Sequence, residues 1–348
     1  MHKRQFFPGS GCLGAAALLL VATGWCAPIR AAAAADKQPK VAAPEQGPRA
    51  TPIRNSTLFV SPDDKAEKLA TVFPGREMVI AERSGEWLRV FANTDVEKES
   101  EQDAPVFGED AVATPISGWM REKGVVRPET PQGDVILFGL AANFEEQASE
   151  ANAPHGAAQT ARLLYRRVAE IFPDSPKAGE AAWRAADIRW QLEKADVFSR
   201  PSGHEKESYL RSQIGDEEMK KIEKKFPHTR YADLAAYDML DNKICGDWQG
   251  STKCPEKEAE LFDKYAAEHP DSPRAAEALY KATFRQASLG DMYSADGDDK
   301  KSEQARARAK DLAGRVTGKY AQSDYAARAA GLIYKMEQGI PIYGSDRE

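Results

Sequence analysis

The chain has 348 residues, which allows about two domains. Its 48 Lys and Arg stand against 54 Asp and Glu, a net charge of −6. That balance excludes a basic nucleic-acid binder, and no nucleic acid is expected among the partners. Four cysteines are too few for a disulfide-built miniprotein, while 42% apolar residues suffice for ordinary cores.

The first element is an export signal. Lys3 and Arg4 open the chain, a run of small and apolar residues follows from Leu13 to Trp25, and Ala31 to Ala35 close it. This basic, apolar, small-residue order predicts a secretory signal over 1–35, cut between Ala35 and Asp36. The apolar run is short for a helix that must cross ~20 residues of hydrocarbon, so no stable transmembrane span is expected after cleavage. A lipid anchor at Cys26 is disfavoured because Trp25 precedes it. Loss of 1–35 removes Lys3, Arg4 and Arg30 and no acid, so the remainder is more acidic still. It also leaves one cysteine pair, Cys245 and Cys254. In an exported chain such a pair predicts a disulfide, because a zinc site needs further ligands.

Residues 36–54 are rich in Ala, Pro, Gln and Lys without apolar periodicity, and predict a flexible linker. Residues 55–128 then change to short β-type runs around Leu58, Val72, Val79 and Val90, divided by Pro, Gly and Ser turns. This predicts a small β-barrel. The stretch resembles a bacterial SH3 domain in Leu58, Phe59, Val60 and Pro62, the Phe73, Pro74, Gly75 turn, Gly85 with Trp87 and Leu88, and Gly118 with Trp119. Trp87 and Trp119 stand between barrel core and a peptide- or glycan-binding surface. The resemblance breaks at 93–117, where Asp95, Glu97, Glu99, Glu101, Asp103, Glu109 and Asp110 predict a solvated acidic loop.

Pro128, Pro131 and Gly133 mark a boundary between domains expected to fold independently. From residue 134 to 348 the spacing is helical, as in Tyr165, Val168 and Phe172 or Met219, Ile222 and Phe226. A phrase repeats there. It reads Phe172, Pro173, Asp174, Ser175, Pro176 and returns at Phe226–Arg230, at His269–Pro273 and, weakly, at Tyr320–Asp324. Pro stops one helix, and Ser or Asp caps the next. Ala-rich helices follow near Ala178, Ala232, Ala275 and Ala326.

The pattern resembles the tetratricopeptide repeat. Ala161, Tyr165, Val168 and Pro173 match its second helix, and Trp183 and Trp190 fill bulky places of its first. The resemblance implies an all-α solenoid of about four degenerate repeats with a C-terminal capping helix. The repeats are longer than the standard ~34 residues. The surplus is expected in turns at 193–214, 245–254 and 289–302. The phrasing is also similar to envelope proteins of the BamD type and to the periplasmic helper of the Tol–Pal system.

No reactive set stands out. His155, His204, His228 and His269 fall at no metal-ligand spacing, and there is no nucleophile elbow or P-loop. No cofactor and no catalysis are expected. Lys220, Lys221, Lys224 and Lys225 interleave with Glu217, Glu218 and Glu223, which predicts a solvated helix face. Trp183 and Trp190 are expected to pack between helices. Arg184, Asp187, Asp238, Asp241, Lys281 and Arg285 lie on first helices away from that packing stripe, and are candidates to line a groove.

The fold expected is a small all-β SH3-like barrel followed by an all-α helical-hairpin solenoid. The function expected is a periplasmic or envelope-associated scaffold for protein or peptide partners, with the barrel as an auxiliary binding module. The alternative is a peptidoglycan-binding envelope protein, or an accessory subunit of a cell-wall hydrolase or an outer-membrane assembly system.

Overall fold

The β-branched and aromatic runs form short strands, and Pro and Gly separate them, in a computed structural model that describes residues 47–96 and 114–344. The expected signal over 1–35 lies outside the described residues. β1 (Arg49–Pro52), β2 (Ser56–Phe59), β3 (Lys68–Val72), β4 (Met78–Ser84), β5 (Trp87–Ala92), β6 (Ile116–Arg121) and β7 (Val125–Val126) make one antiparallel curled sheet. Its order is β3-β2-β6-β5-β4-β1-β7. Each strand has one face against Ala50, Leu58, Met78, Leu88, Val90 or Met120, all fully buried. Gly85 turns β4 into β5 at φ 58°, a backbone that a side chain would strain.

Two expectations change here. The barrel begins at Arg49, inside the stretch read as linker. Residues 49–52 lack an apolar pattern of their own, but their backbone is paired on both sides, Ala50 with Met78 and Thr51 with Val126. The acidic stretch is not solvated throughout either. Asp95 is 0% exposed, with Arg76 at 3.7 Å and Arg167 at 3.3 Å. Two guanidiniums compensate its charge, which is what allows burial. The acids from Glu97 to Asp110 lie outside the described residues.

The second half is all-α. α1 (Gly133–Ala148), α2 (Ala157–Ile171), α3 (Ala178–Ser199), α4 (Glu217–Lys225), α5 (Arg230–Asp238), α6 (Lys253–Glu268), α7 (Ala275–Ala295), α8 (Asp299–Lys319) and α9 (Asp324–Glu337) follow in order. α1 packs on α2, α2 on α3, α4 on α5, α6 on α7 and α7 on α8, and α9 lies on α7 and α8. α5 and α6 meet instead through side chains, chiefly Tyr237 against Phe262 and Tyr265.

The sequence repeat recurs as a backbone repeat. Phe172, Phe226, His269 and Tyr320 each end a helix, with φ between −118° and −125° and ψ between 39° and 60°. The expected capping holds where Ser323 accepts from the Ala326 N–H, and Thr229 does the same for the Ala232 N–H. In the two Pro-Asp-Ser-Pro copies the serine does something else. Ser175 and Ser272 accept from the N–H two residues on, at 3.1 Å each, and so hold the turn rather than cap the helix. The expected surplus at 289–302 is not a long turn, because α7 runs on to Ala295 and α8 starts at Asp299. Ser302 donates to the Gly290 carbonyl at 2.6 Å and draws these two helices together.

Barrel and helices share a buried joint. Gly75, at φ 81°, brings the barrel turn so close to α2 that an added Cβ would lie 2.7 Å from the Leu163 Cβ. Val126 belongs to the same apolar cluster as Leu137, Leu164 and Val168. Arg167 on α2 is 1% exposed and faces Glu77 at 3.3 Å as well as Asp95.

Candidate binding groove

The candidate groove residues lie on α3, on α5 and the 3-10 turn after it, and on α7, and most of them make polar contacts between or along these helices. On α3, Arg184 reaches back to Glu145 on α1 at 2.7 Å and along its own helix to Glu180 at 3.0 Å. Glu145 also accepts from the Tyr165 hydroxyl at 2.6 Å. One helix on, the Trp183 indole N–H donates to Asp238 on α5 at 3.4 Å, and that of Trp190 to Asp241 at 3.1 Å. The Lys194 ammonium lies 2.8 Å from Asp241. On the next element Glu277 holds both Arg274, at 2.7 Å, and Lys281, at 3.2 Å.

The electrostatics follow from burial. Desolvation pushes Asp238 up to about 7, and the charge of Asp187 adds to the rise. Burial likewise raises Asp187, which takes a hydrogen bond from Gln191 at 2.9 Å. Burial would also raise Glu277, but Lys281, the Tyr237 hydroxyl and Arg274 bring it below its ordinary value. Burial lowers Lys281 despite Glu277 beside it. The candidate residues therefore combine paired basic groups with desolvated acids.

Five of the six groove candidates make these contacts. Arg285 does not. It is 4% exposed and its Nε donates to Glu258 at 3.0 Å, so it is a buried structural ion pair. The same Glu258 accepts from the Cys245 N–H at 2.9 Å and the Trp248 indole at 3.2 Å. Trp190 is buried between helices and Trp183 is half-buried, as their packing role requires. In the barrel Trp87 is 7% exposed, edge-on to Phe59 and covered by the Arg121 guanidinium at 4.3 Å. It belongs to the packing and not to a binding surface. Trp119 stays half-exposed. Sequence reasoning missed Glu145, Lys194, Arg274 and Glu277. Each lies on a first helix or in the turn leading to one, and that placement was the only signal available.

Cys245 and Cys254 are bonded, with Cα atoms 6.0 Å apart. Lys220, Lys221, Lys224 and Lys225 on α4 are exposed as expected, while Glu218 turns inward to Arg162 and Arg189 at 3.3 Å each. Among the described residues no group of three or more His, Cys, Asp and Glu could hold a metal ion. No described helix is long and apolar enough to cross a membrane. Compared with protein-family models and with curated proteins, the chain matches none.

Proposed function

We propose that the chain is a non-catalytic interaction scaffold of the cell envelope. Its helical part is a tetratricopeptide-like solenoid that binds an extended protein segment along α1, α3, α5 and α7. Its curled sheet is an SH3-like module that assists docking. The observation that supports this reading is the row of polar and charged side chains Glu145, Arg184, Asp187, Asp238, Asp241 and Lys281 on successive first helices and the turn after α5. Solenoids use such faces to hold extended partners without reactive groups. Export is supported by the leading basic and apolar order of 1–35 and by a disulfide, which persists in oxidising compartments.

The test is site-specific photo-crosslinking of the full chain in envelope extract. A crosslinking amino acid at Gln191, exposed on the groove side of α3, should capture a partner. The same group at Glu303, exposed on α8, should not. Capture from Glu303 and none from Gln191 would place the binding surface elsewhere and defeat the reading.

A further inference from the structure

The face built by α4, α5 and α6 carries both a cleft and a protruding knob. The cleft, about 840 Å³, opens where α5 and α6 part. Ile214, Met239, Leu240, Leu261 and Tyr265 contribute apolar lining. On the α5 and α6 side its rim bears Lys243 and Lys264, and on the α4 side Glu217 and Glu223.

The knob is the 3-10 turn Ser208–Leu210, between α3 and α4. Tyr209 is 76% exposed and Leu210 is 55% exposed. Two adjacent large apolar side chains facing water call for an explanation when their backbone is held in place. This backbone is held. The Arg211 guanidinium donates to the Asp241 carbonyl at 2.5 Å. The Gly246 N–H donates to the Glu205 carbonyl at 3.0 Å, which ties the insertion to the disulfide loop. An added Cβ on Gly246 would sit 2.3 Å from the Gly203 carbonyl oxygen, so the two loops touch along their backbones.

Knob and cleft are neighbours. Gln213 lines the cleft, and its side-chain amide donates to the Ser208 carbonyl at 2.8 Å. We propose that this face is a two-fold interface between copies of this chain, in which each Tyr209–Leu210 knob enters its partner's cleft. A two-fold interface requires a self-complementary surface, and a knob beside a hole on one face is such a surface. The charges agree with this occupant. Glu205, Lys206 and Glu207 lead into the knob, while the rim offers Lys243 and Lys264 opposite Glu217, Lys220 and Glu223. Glu205 is exposed and has no ion pair among the described residues, and Lys243 is exposed on the rim, where its charge also acts on Glu223 of the same copy. Pairing through this face leaves the groove of α3, α5 and α7 open in both copies. The assembly then presents two equivalent binding sites, and gains avidity for a repetitive partner.

Sedimentation equilibrium of the full chain over a concentration series tests this without any partner. The wild type should move from one to two protomer masses. Tyr209→Ser with Leu210→Ser should weaken the dimer by about tenfold or more, as loss of central anchors does. The knob is exposed, so this variant should keep the wild-type melting curve. Met239→Lys in the cleft should weaken dimers in the same way. Mixing the two variants should restore part of the affinity, because one intact knob then meets one intact cleft. A wild type that stays monomeric, or a dimer indifferent to the knob variant, overturns the inference. So does a mixture that shows no recovery. These outcomes are independent of the groove, whose occupancy is read by crosslinking at Gln191.

Discussion

A buried carboxylate without a cation beside it makes Asp238 the most informative single residue. It is 8% exposed, receives only the Trp183 indole, and lies near Asp187 and Asp241, with Arg274 across from α7. Its carboxyl is raised from 3.8 to about 7 in the folded chain. Between these values the folded chain keeps a proton that the unfolded chain has released. Stability contributed by this group is therefore full below about pH 4, and is lost as pH rises towards 7. Asp238→Asn should flatten that loss, leaving the variant more stable than wild type at pH 8 by up to about 4 kcal/mol. Thermal melts at pH 5 and pH 8 check the prediction, and parallel pH profiles for the two proteins would refute it. Trp190 acts at the same scale through packing. It is 1% exposed, and Trp190→Ala should cost ~3–5 kcal/mol. Half-buried Trp183 should cost less when cut to Ala, and denaturant melts order the two.

At the scale of elements, local chemistry explains what sequence could show. Prolines and small polar residues sit within a few positions of the turns they make, so the four helix ends at Phe172, Phe226, His269 and Tyr320 were legible. The Gly85 turn and the strands around it were legible for the same reason. What escaped was non-local. β1 is a strand only because β4 and β7 supply its partners. Asp95 is buried only because α2 delivers Arg167 from far along the chain. Arg285 shares its helical spacing with the other groove candidates, and Glu258, on the preceding helix, pairs with it in the interior. The Cys245–Cys254 loop shows how such an element is held. Glu258 binds its backbone, Gly246 touches the insertion after α3, and Trp248 stacks on Tyr343 at 6.2 Å. A double Cys245→Ser, Cys254→Ser variant should lose about 2–3 kcal/mol, with the larger part from the freed loop. Mass spectrometry without reduction should find no free thiol at either position in the native chain.

At the scale of the whole molecule, the joint between sheet and helices decides whether two halves behave as two domains. The breaks at Pro128, Pro131 and Gly133 do mark the change of structure, since β7 ends at Val126 and α1 begins at Gly133. Independent folding is a separate matter. Arg76, Glu77 and Asp95 from the sheet side meet Arg167 from α2, and all four are buried. Arg49 and Arg76 already face Glu77 and Asp95 on the sheet side, Arg167 also pairs with Glu170 on α2, and the pairs from Arg167 to Glu77 and Asp95 tie the two halves together. Removing one partner of a buried ionic cluster leaves a desolvated charge, which typically costs 3–5 kcal/mol. Arg167→Met keeps the volume of the side chain and removes the ion pairs that cross the joint, leaving Glu77 with Arg49 and Asp95 with Arg76. The wild type should therefore unfold in a single transition, followed together by hydrogen exchange of the barrel-strand amides of Leu88 and Val90 and by far-ultraviolet helicity. In Arg167→Met the two signals should separate, with the barrel signal lost first, because the smaller core depends more on the joint. Coincident transitions in the variant, at the wild-type midpoint, would show that the joint contributes nothing and that the halves are held by Val126 and its apolar neighbours alone.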